Sequence, residues 1–242
     1  MKLTPRLQAV AAQVPEGTVV ADVGTDHGYI PAYLMVNRIA RRVIATDANN
    51  FPLQSARETI NLFNLADRIT LRLGDGLAAL NPEDEVDVLI IAGMGGSLIV
   101  RILEQGLYRL PSVRRLVLQP MNQAGDVRRW LAVNRWGLLS EDLVQEGDRT
   151  YELIVAGPES QSTFNLDSQD PLLEVGPLLV SSCHGLLPSL LQQRLARLNR
   201  AMDGAQQSDS QQAQQRLILL KERAVFLEDV LQWVLKQKAE RI

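Results

Sequence analysis

The 242-residue sequence predicts an α/β protein: a Rossmann-like, seven-stranded sheet followed by a C-terminal helical hairpin. Three observations carry that expectation. Apolar runs of strand length alternate with helical stretches through residue 156, the last two strands follow one another without a helix, and leucines beyond residue 160 recur at coiled-coil spacing.

The elements follow in order. VVADVG (19–24) reads as the first strand, and a helix begins near Gly28 and Tyr29 and continues through PAYLMVN. RVIATDA (42–48) is the second strand, followed by the helix FPLQSARETINLFN. ITLRLGD (69–75) is the third strand, and VDVLIIAG (86–93) is the fourth, with the helix SLIVRILEQ after it. RLVLQP (115–120) is the fifth, followed by the helix GDVRRWLAVN. LLSEDLVQEG and TYELIVAG have no helix between them and pair as an antiparallel hairpin. Such an order implies a mostly parallel sheet covered on both faces, and the nearly continuous apolar character of the strands agrees with it.

The segment 158–171, PESQSTFNLDSQDP, is polar and bounded by prolines, the composition of a linker. It divides the chain near residue 160, into 1–160 and 161–242. In the second part LLPSLLQQRLARLNRAM carries a stripe of Leu187, Leu191, Leu195, Leu198 and Met202. DGAQQSDSQQ then reads as a polar turn, and residues 213–238 carry Leu217, Leu220, Ala224, Leu227, Leu231 and Val234. Two such stripes joined by a short turn suggest an antiparallel coiled coil that closes on itself in a monomer, with a dimer through the same seam as the alternative.

Composition narrows the function classes. A net charge of -3 and a pI near 5.5 argue against a general polyanion binder, so nucleic-acid contact requires a local basic patch. The single cysteine, Cys183, cannot form an internal disulfide, and no basic start leads into an apolar run; both point to a cytoplasmic protein. No apolar stretch approaches the roughly 18 residues that would span a bilayer. His184 beside Cys183 lacks partners for a metal or thiol site, so no metal is expected.

The chemistry lies at the strand ends, where open parallel sheets bind ligands. The first strand ends in Asp22 and Gly24, the second in Asp47 and Ala48, the third in Asp75 and Gly76, and the fourth in Ala92, Gly93, Met94, Gly95 and Gly96. A dinucleotide's pyrophosphate prefers a GxGxxG turn free of carboxylates, whereas GTDHG departs from that spacing and puts Asp26 where the phosphate would sit. No GxxxxGK[ST] occurs either. S-adenosyl-L-methionine has no phosphate but offers an ammonium group, a sulfonium, two ribose hydroxyls and an adenine amino group. Asp47 is placed to accept from both ribose hydroxyls and Asp75 from the adenine amine, while Gly24 admits the methionine portion close to the backbone.

ADVGTDHGYIPAYL, LGDGL, IIAGMGG, LQP with the following RRWL, and YELIVAG resemble the bacterial tRNA (adenine-N1)-methyltransferase family acting on adenosine 22 of the D-arm. The likeness spans roughly residues 1–160, and EVGPLL with the two long helices resembles that family's C-terminal coiled coil. It implies a class I methyltransferase fold, S-adenosyl-L-methionine as cofactor and tRNA as substrate. One departure is Met121 where that pattern has Asn, with Asn122 one place later.

Adenine N1 lies on the Watson-Crick edge, so such an enzyme acts on an exposed nucleotide and relies on alignment more than on a strong base. Asp26 is the candidate to stabilise the positive charge developing on the base, with capping of the helix at Gly28 as its competing role. His27 and Tyr29 are candidates to contact the base; a structural histidine and a core-facing tyrosine are the alternatives. Gly95 and Gly96 would leave room for a flat base. Basic residues group as Lys2 with Arg6, Arg38 with Arg41 and Arg42, Arg128 with Arg129 and Arg135, and Arg194 with Arg197 and Arg200. The turn at Arg38, Arg41 and Arg42 and the helix face at Arg194, Arg197 and Arg200 are expected to hold tRNA phosphates across the site. A small-molecule methyltransferase and a non-catalytic RNA-binding protein stay open as alternatives at this stage.

Overall fold

In the computed structural model, residues 1–159, 167–206 and 210–240 are described. Seven strands form one sheet: β1 (Thr18–Val23), β2 (Ala40–Asp47), β3 (Ile69–Leu73), β4 (Val88–Met94), β5 (Arg115–Pro120), β6 (Trp136–Glu146) and β7 (Arg149–Pro158). Their order across the sheet is β3-β2-β1-β4-β5-β7-β6. The first five are parallel, so they end at one common edge, and strand order reverses between β1 and β4. That reversal opens the crevice in which such sheets bind ligands. The final hairpin is antiparallel as expected, and its second strand rather than its first lies beside β5.

The strands form because apolar residues run through them almost unbroken: Val43, Ile44, Leu89, Ile90, Ile91, Leu116, Val117 and Leu118 are fully shielded. Only a sheet covered on both faces can bury such runs. The cover comes from α2 (Tyr29–Val36), α3 (Asn50–Leu62), α4 (Gly96–Gln105) and α5 (Ala124–Val133). A further helix, α1 (Pro5–Ala11), was not expected from the pattern. Thr4 at its N-cap and Pro5 in its first turn are start signals, and Val10 and Ala11 enter the core with Leu7 packed against them. At seven residues it shows barely two turns of periodicity.

The chain divides into two compact units, Met1–Glu174 and Val175–Ile242. The division expected near residue 160 falls in 160–166, outside the described residues. The first unit extends to Glu174 because the short turn Pro171–Glu174 packs on α5: Leu173 is buried and its carbonyl accepts from Arg128 Nη1 at 3.2 Å.

The second unit contains α6 (Pro177–Ser181), α7 (Leu187–Gln206) and α8 (Gln211–Glu240). Lys238 Nζ, near the end of α8, donates to Gly185 O just before α7, so the two long helices run antiparallel. Leu187, Leu191, Leu195 and Leu198 face Ala224, Leu227, Leu231 and Val234 as the buried seam, joined by Leu190 and Val230 from outside the expected stripe. The turn is shorter than expected: Asp203 and Gly204 belong to α7. No helix among the described residues is long and apolar enough to cross a membrane.

Candidate active site

The carboxyl edge of the parallel strands collects the acids named above. Asp22 is buried near the end of β1, and Thr25 Oγ1, also buried, donates to its Oδ2 at 2.7 Å. Burial pushes the Asp22 carboxyl up from 3.8 to about 6; the Thr25 hydrogen bond works against that rise and the neighbouring Asp47 carboxylate adds to it. Among the described residues no cation pairs with Asp22. At the end of β2, Asp47 Oδ1 accepts from the Asn49 amide at 3.0 Å and Oδ2 from the Asp26 amide at 3.4 Å. The amides of Gly24 and Thr25 donate to Thr46 O at 2.8 and 2.9 Å, which ties the turn after β1 to the end of β2.

Gly24 has φ +74°, a left-handed conformation that glycine adopts without strain, and a Cβ there would collide with the terminal methyl of Met94. The amide of Gly74 donates to Asp47 O at 3.0 Å, bringing the turn after β3 to the same place. Asp75 follows, exposed at the start of the 3-10 turn Gly76–Ala79, where its carboxylate caps nothing. At the end of β4, the Gly93 amide donates to Gln119 Oε1 at 3.1 Å. Ala48 and Ala92 adjoin Asp47 and Gly93 in the chain, so the residues expected at the strand ends do converge.

The donor set decides what such a site accepts. It is made of carboxylates, with Asp47 held by two backbone amides, around a buried Asp22 that has no cation of its own among the described residues. Phosphates would be repelled, whereas an ammonium, ribose hydroxyls and an exocyclic amine all find acceptors. These residues fit S-adenosyl-L-methionine. Among the described residues no group of three His, Cys, Asp or Glu side chains could hold a metal ion.

Beyond Gly24, Asp26 takes φ 53° and turns its carboxylate outward, with Oδ1 3.7 Å from His27 Nε2. Gly28 occupies the N-cap of α2 and receives no side-chain hydrogen bond, so Asp26 does not cap that helix. The His27 and Tyr29 rings stack with centroids 5.3 Å apart and planes 14° from parallel. Tyr29 is 44% exposed and so is not a core residue. The three residues form an aromatic and acidic surface beside the strand ends.

Two expectations need correction. Gly96 does not leave room for a base: a Cβ there would strike the backbone of Asn122 and Gln123, so the β5–α5 turn already fills that side. Gly95 faces the same turn, its missing Cβ 3.2 Å from Asn122 Oδ1. Asn122 therefore brings an amide to this corner although Met121 precedes it, and its Oδ1 accepts from the Gly96 amide at 3.3 Å. Second, Arg38, Arg41 and Arg42 stand at the start of β2, on the opposite edge of the sheet. Arg42 and Arg41 precede Asp47 by five and six residues of β2, roughly 17 and 20 Å along the strand, and Arg38 lies before the strand begins. Arg42 is engaged there, donating to Asp84 O at 2.6 Å, and Arg41 lines a cavity with Glu85, Asp87 and Arg114. They do not converge on the site. Arg197 and Arg200 are exposed on α7 in the second unit, and Arg194 is half-buried. Steps of three residues turn a helix by about 60° each, so the three spread across a broad face rather than a line.

Sequence reasoning missed four participants. Thr25 sits inside GTDHG but signals nothing by type. Gln119, buried in LQP, joins β4 to β5; Arg6 reaches it from a distant part of the chain, and the Tyr151 ring lies against the Arg6 guanidinium. Pro5 after Thr4 was the one local signal that would have placed Arg6 on a helix.

A seven-stranded sheet in this order, with acids and glycines at the ends of β1 to β4, defines a class I methyltransferase. Residues 3–154 match the family model described as a methyltransferase domain. The tRNA (adenine(22)-N(1))-methyltransferase of Bacillus subtilis is 34% identical over 233 residues, which cover 96% of this chain and 98% of that protein. The crystal structure of the B. subtilis enzyme, at 32% identity, superposes with a TM-score of 0.83 over 95% of this chain and 99% of its own. A Streptococcus pneumoniae structure in complex with S-adenosyl-L-methionine, at 31% identity, gives 0.84 over 95% and 100%. The chain belongs to the tRNA (adenine(22)-N(1))-methyltransferase family.

Proposed function

We propose that this chain transfers a methyl group from S-adenosyl-L-methionine to N1 of adenosine 22 in tRNA. The observation that carries the reading is Asp22, buried and without a cation of its own among the described residues, between the Gly24 turn and the oriented carboxylate of Asp47. Bound there, the cofactor supplies an electrophilic methyl on a sulfonium. Asp22 accepts from the ammonium, Asp47 from the two ribose hydroxyls and Asp75 from the adenine amine, while Gly24, Ala48, Gly76, Ala92, Gly93 and Met94 line the pocket.

The stacked His27 and Tyr29 offer a surface on which an extruded base can lie flat. Asp26, outward-facing beside His27, stabilises the positive charge that N1 methylation leaves on the base and accepts the proton lost from its exocyclic amine. The helical unit is the tRNA-binding domain in this reading, with Arg194, Arg197 and Arg200 on α7 contacting phosphates, and the protein works as a cytoplasmic monomer. Reversing those three arginines to Glu weakens tRNA binding and leaves cofactor binding intact; unchanged tRNA affinity removes the α7 face from the model.

Mass-spectrometric mapping of an unmodified tRNA transcript after incubation with protein and cofactor tests the function. Expected is one added methyl on N1 of adenosine 22, lost in Asp47→Ala. Methylation elsewhere, or none, overturns the assignment.

A further inference from the structure

S-adenosyl-L-methionine has one anionic group, its carboxylate, and the acids assigned above would repel it. Arg6 is the cation that the structure brings to these strand ends. Its Nη1 lies 3.5 Å from where a Cβ on Gly93 would stand, which places the guanidinium in van der Waals range of the end of β4. Two contacts hold the guanidinium and a third holds the Arg6 backbone. Nη1 donates to Gln119 Oε1 at 2.8 Å, the same oxygen that accepts from the Gly93 amide. The guanidinium carbon stands 5.4 Å from the centre of the Tyr151 ring. The Arg6 amide donates to Glu146 Oε2 at 3.0 Å.

Gln119 is buried and its Nε2 is engaged by Pro120 O at 3.1 Å, so its oxygen is oriented toward Arg6 and Gly93. Of the guanidinium, Nε and Nη2 make no hydrogen bond among the described residues. A planar fork held at one nitrogen and along one face, with its other edge open, suits a carboxylate taken bidentately.

We propose that Arg6 binds the carboxylate of S-adenosyl-L-methionine and is the cationic counterpart of Asp22, Asp47 and Asp75. The inference rests on the methyltransferase reading above. Gln119 and Tyr151 are then positioning residues, which act by aiming Arg6.

Titration calorimetry of the full chain with S-adenosyl-L-methionine and with its decarboxylated analogue tests this. For the wild type the intact cofactor binds on the order of 10- to 100-fold tighter than the analogue, the range of a charge-assisted bidentate contact. Arg6→Met removes that difference, weakening the cofactor while leaving the analogue within about twofold, and Arg6→Lys restores part of it. Thermal melts verify that each variant is folded. Equal weakening of both ligands overturns the assignment and gives Arg6 a structural role through Gln119. Weakened tRNA binding with unchanged cofactor affinity overturns it in favour of an RNA phosphate. An Asp47→Ala arm separates the two levels. If Asp47→Ala abolishes cofactor binding and Arg6→Met does not alter it, only the Arg6 assignment falls. If the wild type binds neither ligand, the methyltransferase reading falls with it.

Discussion

Asp22 and Arg128 are both buried charges in the first unit, and they are treated in opposite ways. Arg128, fully shielded in α5, is surrounded by its own counter-charges: Nε donates to Glu141 Oε1 at 2.5 Å, Nη2 to Glu152 Oε2 at 2.8 Å and Nη1 to Leu173 O at 3.2 Å. Burial works against the charged guanidinium, but Glu141 and Glu152 outweigh it and hold Arg128 protonated beyond its ordinary range. Asp22 has a hydroxyl and, among the described residues, no cation, and its carboxyl rises to about 6. One cluster is complete within the fold and clasps the β6–β7 hairpin to α5 and to the close of the unit. The other is left incomplete, and that is how a binding site differs from a structural one when both are buried.

Experiments that break or sharpen this contrast can be ordered by size. Arg128→Met takes the guanidinium from between two shielded carboxylates and is expected to destabilise the protein by about 3 to 5 kcal/mol in denaturant titration. Converting Glu141 and Glu152 to Gln in the same background recovers much of that, because the desolvation cost disappears with the charges.

Asp22→Asn goes the other way. The gap between 3.8 and about 6 converts to roughly 3 kcal/mol, so the ligand-free variant is more stable at pH 7 by up to that amount while its cofactor affinity falls. The sign follows from a folded-state value above the unfolded one. The burial penalty is absent below pH 3.8, grows as pH rises to about 6 and is constant above, so melts of the two proteins coincide in acid and diverge toward neutrality. Cofactor affinity of the wild type weakens below about pH 6 as Asp22 takes up a proton, and titrations across that range detect it.

Thr25→Val removes the one hydroxyl that opposes the rise. It costs about 1 kcal/mol in melts and moves the Asp22 titration upward, followed by carboxyl-carbon NMR. Arg41→Ala, at the far edge of the sheet, is expected to stay within about 0.5 kcal/mol of wild type in stability and to leave tRNA methylation unchanged.

The parts legible in the sequence were those whose cause is local. Asp22, Gly24, Asp47 and Asp75 occupy strand ends that hydrophobic runs and glycine turns mark directly, and the leucine stripes of α7 and α8 arise from periodicity along one helix. What escaped depends on distant pairs. Gly96 packs against Asn122 and Gln123, and Arg6 meets Gln119 across 113 residues of chain. No local pattern encodes either meeting. The placement of Arg38, Arg41 and Arg42 is a different failure, since residues just before or at the start of a parallel strand must lie at the edge away from the ligand crevice. Their grouping suggested phosphate binding, and topology outweighs grouping.

Met94 gives the pocket one further property. Its terminal methyl lies over Gly24, in the space assigned to the methionine portion of the methyl donor. When the donor docks, the Met94 thioether, which has the rotamer freedom to withdraw, yields to a hydrocarbon chain of similar shape that ends in a sulfonium. That exchange changes apolar burial little. Discrimination then falls to the two charged ends of the ligand's amino-acid portion, and a donor analogue altered only along its hydrocarbon chain should be tolerated.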